Sequence, residues 1–131
     1  IIDGRSHEVM IAADVILLAS GTAALEALLA KRPMVVAYRI SPLTYFIVKV
    51  FGLMKINYYS LPNVLANEAV VPELMQDNCT ASSIVDALVP MLDTPENYQP
   101  LMQKFSQIHQ ELKRDASVLA ANAVLELAQN P

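Results

Sequence analysis

Cysteine occurs once in this 131-residue chain, at position 79, so no internal disulfide can brace the fold. A lone thiol suits a reducing cytoplasm. Neither a Walker loop nor a Gly-x-Gly-x-x-Gly fingerprint is present, which argues against a P-loop nucleotidase and against a dinucleotide fold for NAD or FAD. The two histidines, His7 and His109, have no partner at metal-ligand spacing, so no metal is expected and both read as solvated. The apolar run at residues 42–54 falls short of the roughly 20 residues that a membrane-spanning helix needs. No internal repeat, linker or low-complexity segment interrupts the chain. Its first residues, Ile1-Ile2-Asp3-Gly4, carry no Met, charged leader or cleavage site, which reads as a piece of a longer protein rather than a secreted one.

Acidic residues are also missing from one long stretch. The net charge of −4 disfavours nucleic acid as a partner. Yet no Asp or Glu stands between Glu26 and Glu68, where Lys31, Arg32, Arg39, Lys49 and Lys55 supply five of the nine basic residues. Such a positive field would draw phosphorylated substrates or the anionic face of a bilayer. A solvated basic surface that binds nothing fits as well. With 54% apolar residues, the chain is too hydrophobic for disorder and long enough for one domain with a real core.

Residues 15–38 carry the clearest pattern, strand, tight turn, helix, strand. Residues 15–19 and 34–38 are short continuous apolar runs, expected as strands covered on both faces. Between them, residues 23–30 are rich in Ala and Leu, with Leu25, Leu28 and Leu29 as the expected apolar stripe. The Ser20-Gly21-Thr22 turn therefore falls at the carboxyl end of a parallel strand and the amino end of a helix, where open α/β sheets bind ligands. Free backbone N–H groups and the helix dipole favour an anion there, and Gly21 lets a phosphate come close. Ser20 or Thr22 would equally serve as a plain helix cap. Glu26 follows Thr22 by one turn and could accept two sugar hydroxyls, or simply complement the dipole.

Residues 42–54 (Pro-Leu-Thr-Tyr-Phe-Ile-Val-Lys-Val-Phe-Gly-Leu-Met) fit a buried helix, a contact with another domain, or a helix that dips into lipid with Lys49 and Lys55 at the head groups. Residues 58–63 (Tyr-Tyr-Ser-Leu-Pro-Asn) read as a strand end entering a loop, Pro62 forcing Leu61 to be extended and Asn63 opening the next segment. Asn63 also suits a simple turn or cap. Beyond Val71 the pattern is helical: a short helix at 72–76, a run to Leu92 capped by Thr80 or Ser82, another from Pro95 to Lys113 or Arg114, and a last one at 116–129.

Ala-Asp-Val-Ile-Leu-Leu-Ala-Ser-Gly-Thr-Ala-Ala-Leu-Glu at 13–26, Pro-Met-Val-Val-Ala-Tyr-Arg at 33–39, Ser-Leu-Pro-Asn at 60–63 and Ala-Val-Leu-Glu-Leu-Ala-Gln at 123–129 closely resemble the lipid-A-disaccharide synthase family. The resemblance covers essentially the whole chain. Its Ser-Gly-Thr-x-x-Leu-Glu element is shared in looser form by other two-domain glycosyltransferases, and the combination with the Tyr-Arg and Leu-Pro-Asn motifs is more specific.

The resemblance implies an α/β fold, with a Rossmann-like parallel sheet flanked by helices, as the C-terminal nucleotide-sugar-binding half of a GT-B glycosyltransferase. Residues 1–131 would be a single partial domain, with terminal helices at about 95–129. The implied hexosyltransferase activity moves 2,3-diacylglucosamine from UDP-2,3-diacylglucosamine to 2,3-diacylglucosamine 1-phosphate, releasing UDP, in lipid A synthesis of Gram-negative bacteria. No cofactor is implied. Ser20, Gly21 and Thr22 would hold the diphosphate, Glu26 the ribose hydroxyls, Arg39 would add charge near the phosphates, and Asn63 would reach the donor. The general base would lie in an amino-terminal domain upstream of Ile1, so no catalytic residue and no turnover are expected of this chain alone. The enzyme would be cytoplasmic and peripheral on the inner face of the inner membrane. Self-association through the terminal helix is a further expectation. Two readings stand beside this one: another GT-B UDP-sugar enzyme, such as a MurG-like transferase or an epimerase, and a non-catalytic interaction module.

Overall fold

The computed structural model describes residues 2–19, 21–41, 44–46, 50, 58–113 and 116–129. Along the chain run α1 (Ser6–Ala12), β1 (Ile16–Leu18), α2 (Thr22–Leu29), β2 (Met34–Tyr38), α3 (Leu61–Ala66) and β3 (Glu73–Met75). A 3-10 turn (Gln76–Asn78), α4 (Ala81–Asp93), a second 3-10 turn (Pro95–Tyr98), α5 (Gln99–Leu112) and α6 (Ala116–Gln129) follow.

The strands form one parallel sheet in the order β1-β2-β3. Side chains alternate across it. Ile16, Met34 and Val36 meet Ala24, Ala27 and Leu28 of α2, together with Val71 and with Phe105 and Ile108 of α5, in one apolar cluster. Val35 turns to the other face and is buried there, where α4 packs against β2. The architecture is α/β, a Rossmann-like parallel sheet flanked by helices, as expected. Both faces of β2 are covered, but Leu17 of β1 is 49% exposed. That correction follows from α4 lying over the central strand.

Within α2 the buried face is Ala24, Ala27 and Leu28, and Leu25 and Leu29 are only half-buried. The expected leucine stripe is thus rotated toward alanines, which let the helix lie close to the sheet. The helix ends where Lys31 turns left-handed (φ 54). Arg32 N donates to Ala27 O (3.2 Å) and Lys31 N to Leu28 O (3.0 Å), satisfying the last carbonyls.

Two expectations of local structure are overturned. Residues 72–76 do not open a helix: 73–75 pair with 36–38 of β2, and Pro72 offers its carbonyl to Val36 N at 3.0 Å. Sheet pairing outweighs local propensity there. Leu61 is helical rather than extended, because Pro62 fits a first helical turn, where no N–H is needed. The extended residue is Ser60 (φ −80, ψ 142). Further on, Thr80 caps α4, its Oγ1 accepting from Ser83 N at 3.1 Å.

In α6, Val118, Leu119, Val124 and Leu125 are each more than half exposed. Of the apolar run 42–54, Thr44, Tyr45, Phe46 and Val50 are described and helical, with Phe46 and Val50 exposed. Its remaining residues, and Lys55, lie outside the described residues.

Candidate functional site

Parallel register fixes which residues meet at the carboxyl edge of the sheet. Leu18, Val36 and Glu73 form one row across it. Three residues further along each chain stand Gly21, Arg39 and Gln76. Neighbouring strands lie about 4.8 Å apart, so Leu18 and Glu73, the outer members of the paired row, are roughly 10 Å from each other.

On the β1 side of the row, α2 begins. Gly21 adopts φ 120 and ψ −156, a region open essentially to glycine alone. A Cβ built there would meet nothing within 4 Å, so the demand is conformational rather than steric. Among the described residues, the N–H groups of Thr22 and Ala23 have no hydrogen-bond partner, and the Thr22 side chain is exposed. These donors and the helix dipole make an anion-receptive end. Glu26, one turn along, is half-buried, and its carboxylate has no hydrogen bond or ion pair among the described residues. Ser20 lies outside the described residues.

On the β3 side, Arg39 Nε donates to Gln76 O at 3.0 Å. Its terminal nitrogens have no partner among the described residues, and the side chain is exposed. Gln76 holds the next residue too, its Oε1 accepting from Ile40 N at 2.8 Å.

Asn63 stands elsewhere. It is 1% exposed, and its amide is fully engaged. Oδ1 accepts from Val70 N and Val71 N, both at 2.8 Å, while Nδ2 donates to Val71 O at 2.9 Å and to Glu73 Oε1 at 2.8 Å. Glu73 also accepts from Ser60 N (2.7 Å) and Tyr59 N (3.1 Å), pinning the entry to α3 against β3. The structure therefore places Gly21, Thr22 and Arg39 at the carboxyl end of the sheet, leaves Glu26 one turn into α2, and turns Asn63 into the protein interior.

The basic cluster divides as well. Lys31 and Arg32 follow α2 at the amino edge, the end opposite to Arg39, and Lys49 lies outside the described residues. Lys31 Nζ is 3.1 Å from His109 Nδ1 and 3.3 Å from Leu29 O, and Arg32 reaches Ile11 O. His109 is therefore a partner of Lys31 rather than a solvated side chain. A cavity of about 610 Å³ opens beside Asn63, Val71, Pro72, Glu73, Pro90 and Met91. It sits by the start of β3, away from the row Gly21–Arg39–Gln76.

Glu73 and Gln76 escaped the sequence reading. Their only signal is a polar residue at each end of the apolar pair Leu74-Met75, one proline after Val70-Val71.

The family model described as lipid-A-disaccharide synthetase matches residues 1–124. Lipid-A-disaccharide synthase of Xanthomonas campestris pv. campestris (strain 8004) is 54% identical over 127 residues, 97% of this chain and 29% of that protein. The protein of the same name from Xanthomonas axonopodis pv. citri (strain 306) is 53% identical over 127 residues, again 97% of this chain and 29% of the relative. That of Xylella fastidiosa (strain M23) is 50% identical over 129 residues, 98% of this chain and 34% of the relative. The chain thus spans about a third or less of these relatives' length. With 124 of its residues matched by the family model, the chain belongs to the lipid-A-disaccharide synthetase family.

Proposed function

We propose that this chain forms the donor-binding half of a GT-B glycosyltransferase of lipid A biosynthesis. The enzyme transfers 2,3-diacylglucosamine from its UDP derivative to 2,3-diacylglucosamine 1-phosphate. The observation that carries this reading is the glycine-turned start of α2, whose first N–H groups have no partner among the described residues, at the same end of the sheet as Arg39. Family membership and the names of the relatives support it.

In the reaction, an acceptor hydroxyl oxygen bonds to the anomeric carbon of the donor sugar while the bond from that carbon to the diphosphate oxygen breaks. UDP leaves with an additional negative charge. Ser20, Gly21 and Thr22 hold the diphosphate and stabilise that charge. Arg39 adds a cation through its terminal nitrogens, and Glu26 accepts the ribose hydroxyls. Asn63 acts indirectly, by fixing the segment from Tyr59 to Val71. The proton of the acceptor passes to a base in an amino-terminal domain, so this chain alone turns nothing over. The enzyme works as a peripheral protein at an anionic membrane face, consistent with no described helix being long and apolar enough to cross a membrane.

The test is UDP release by the full-length enzyme. Release should require both acylated sugars, fail with an unacylated UDP-sugar, and fall at least tenfold in Glu26→Gln with the melting temperature retained, as the loss of a charge-assisted hydrogen bond implies. Release from unacylated donors at similar rates would point instead to another UDP-sugar enzyme.

The exposed apolar residues of α6 support association of this chain with a second copy, since a symmetric pair would cover the same face twice. Light scattering should show a dimer that Leu119→Lys with Leu125→Lys reduces to monomer. A monomer in both proteins would contradict it.

A further inference from the structure

We infer that Gln76 is a positioning residue for the donor site, holding Arg39 at the carboxyl edge of the sheet; this rests on the donor reading above. Gln76 has φ 51, a left-handed conformation that glutamine rarely adopts. In that geometry one residue makes three contacts with the end of β2. Its carbonyl accepts from Arg39 Nε at 3.0 Å, its Oε1 accepts from Ile40 N at 2.8 Å, and its Nε2 donates to Ile40 O at 3.4 Å. The side-chain amide thereby adds a rung beyond the last backbone pair of the sheet, Tyr38 with Met75.

The consequence falls on Arg39. A free arginine side chain loses much rotamer freedom when it meets an anion, which weakens binding. Here the backbone after Arg39 is held on both polar groups of Ile40, and the guanidinium is tied at Nε. The terminal nitrogens are left for a ligand, with no partner among the described residues. Gln76 also opens the 3-10 turn that follows β3, its carbonyl accepting from Cys79 N at 3.0 Å. Strain retained beside a cation whose terminal nitrogens have no partner among the described residues is the pattern of a functional edge.

The test uses the full-length enzyme. Gln76→Gly suits the left-handed backbone and keeps the carbonyl that Arg39 uses, so it removes only the clamp on Ile40. Gln76→Asn tolerates the same backbone and is one methylene too short to reach Ile40. Both variants should melt at or above the wild-type temperature, with KM for the UDP-sugar donor and Kd for UDP raised about fivefold, the effect of one lost hydrogen bond. Arg39→Ala should weaken UDP binding too, and adding Gln76→Gly to it should change nothing more, because Gln76 acts through Arg39.

Wild-type UDP affinity in Gln76→Gly and Gln76→Asn, with Arg39→Ala impaired, would overturn the inference and leave the donor reading standing. Additive losses in the double variant, or early melting of both Gln76 variants, would make the residue structural. If Arg39→Ala binds UDP normally, Arg39 leaves the donor site and the role of Gln76 falls with it.

Discussion

Asn63→Ala is expected to destabilise the fold by about 3 kcal/mol, because it strands the buried N–H and carbonyl of Val71 without partners, whereas Val70 N keeps its bond to Glu68 O. Calorimetry or a denaturant titration checks it. A change below about 1 kcal/mol would mean that water or a neighbouring group replaces the amide. Asn63→Asp is a sharper probe. It keeps the acceptor for Val70 and Val71 but sets a second carboxylate against Glu73, where the amide now donates at 2.8 Å. Two like charges at that distance in a partly buried site repel strongly. Glu73→Gln added to Asn63→Asp relieves the like charge, but a donor turned toward residue 63 then faces Ser60 N, from which Glu73 Oε1 now accepts at 2.7 Å, so the double variant should recover only part of the loss. Loss of activity in Asn63 variants is then read alongside stability, since the amide holds the backbone of Val71.

Gly21→Ala should cost about 1–3 kcal/mol of stability at φ 120 and ψ −156, or else force the turn to relax. Open space around the added methyl excludes a clash as the cause. Either outcome redirects the N–H groups that start α2, so UDP affinity should drop about tenfold or more, the range for losing one hydrogen bond to a charged group. Unaltered UDP binding in a stable Gly21→Ala protein would remove this turn from the donor site.

The edge that carries these effects was largely legible in the residues. Residues 34–38 appear as β2 with the expected bounds, residues 15–19 contain β1, and residues 23–30 shift by one residue to α2. Each signal there is local: a continuous apolar run, a glycine between strand and helix, an alanine-rich stretch. Glu73 and Gln76 were illegible because their meaning comes from β3 pairing with β2, a contact across 37 positions in the sequence for Val36 and Glu73. Pro-Glu-Leu-Met-Gln in isolation resembles a helix start. Asn63 shows the complementary difficulty: position next to Pro62 marks a turn, but not whether the amide faces solvent or four partners within the protein. The basic stretch was misleading for a related reason. Lys31 and Arg39 are eight positions apart, yet β2 carries the chain from one edge of the sheet to the other between them.

The most direct measurement is a titration of UDP into this chain, read residue by residue from its backbone amides. Shifts centred on Gly21, Thr22 and Ala23, with smaller ones at Arg39 and weaker shifts from UMP, are the expected result. Saturating UDP that leaves those amides in place while moving the signals of another region would contradict the donor site at the start of α2.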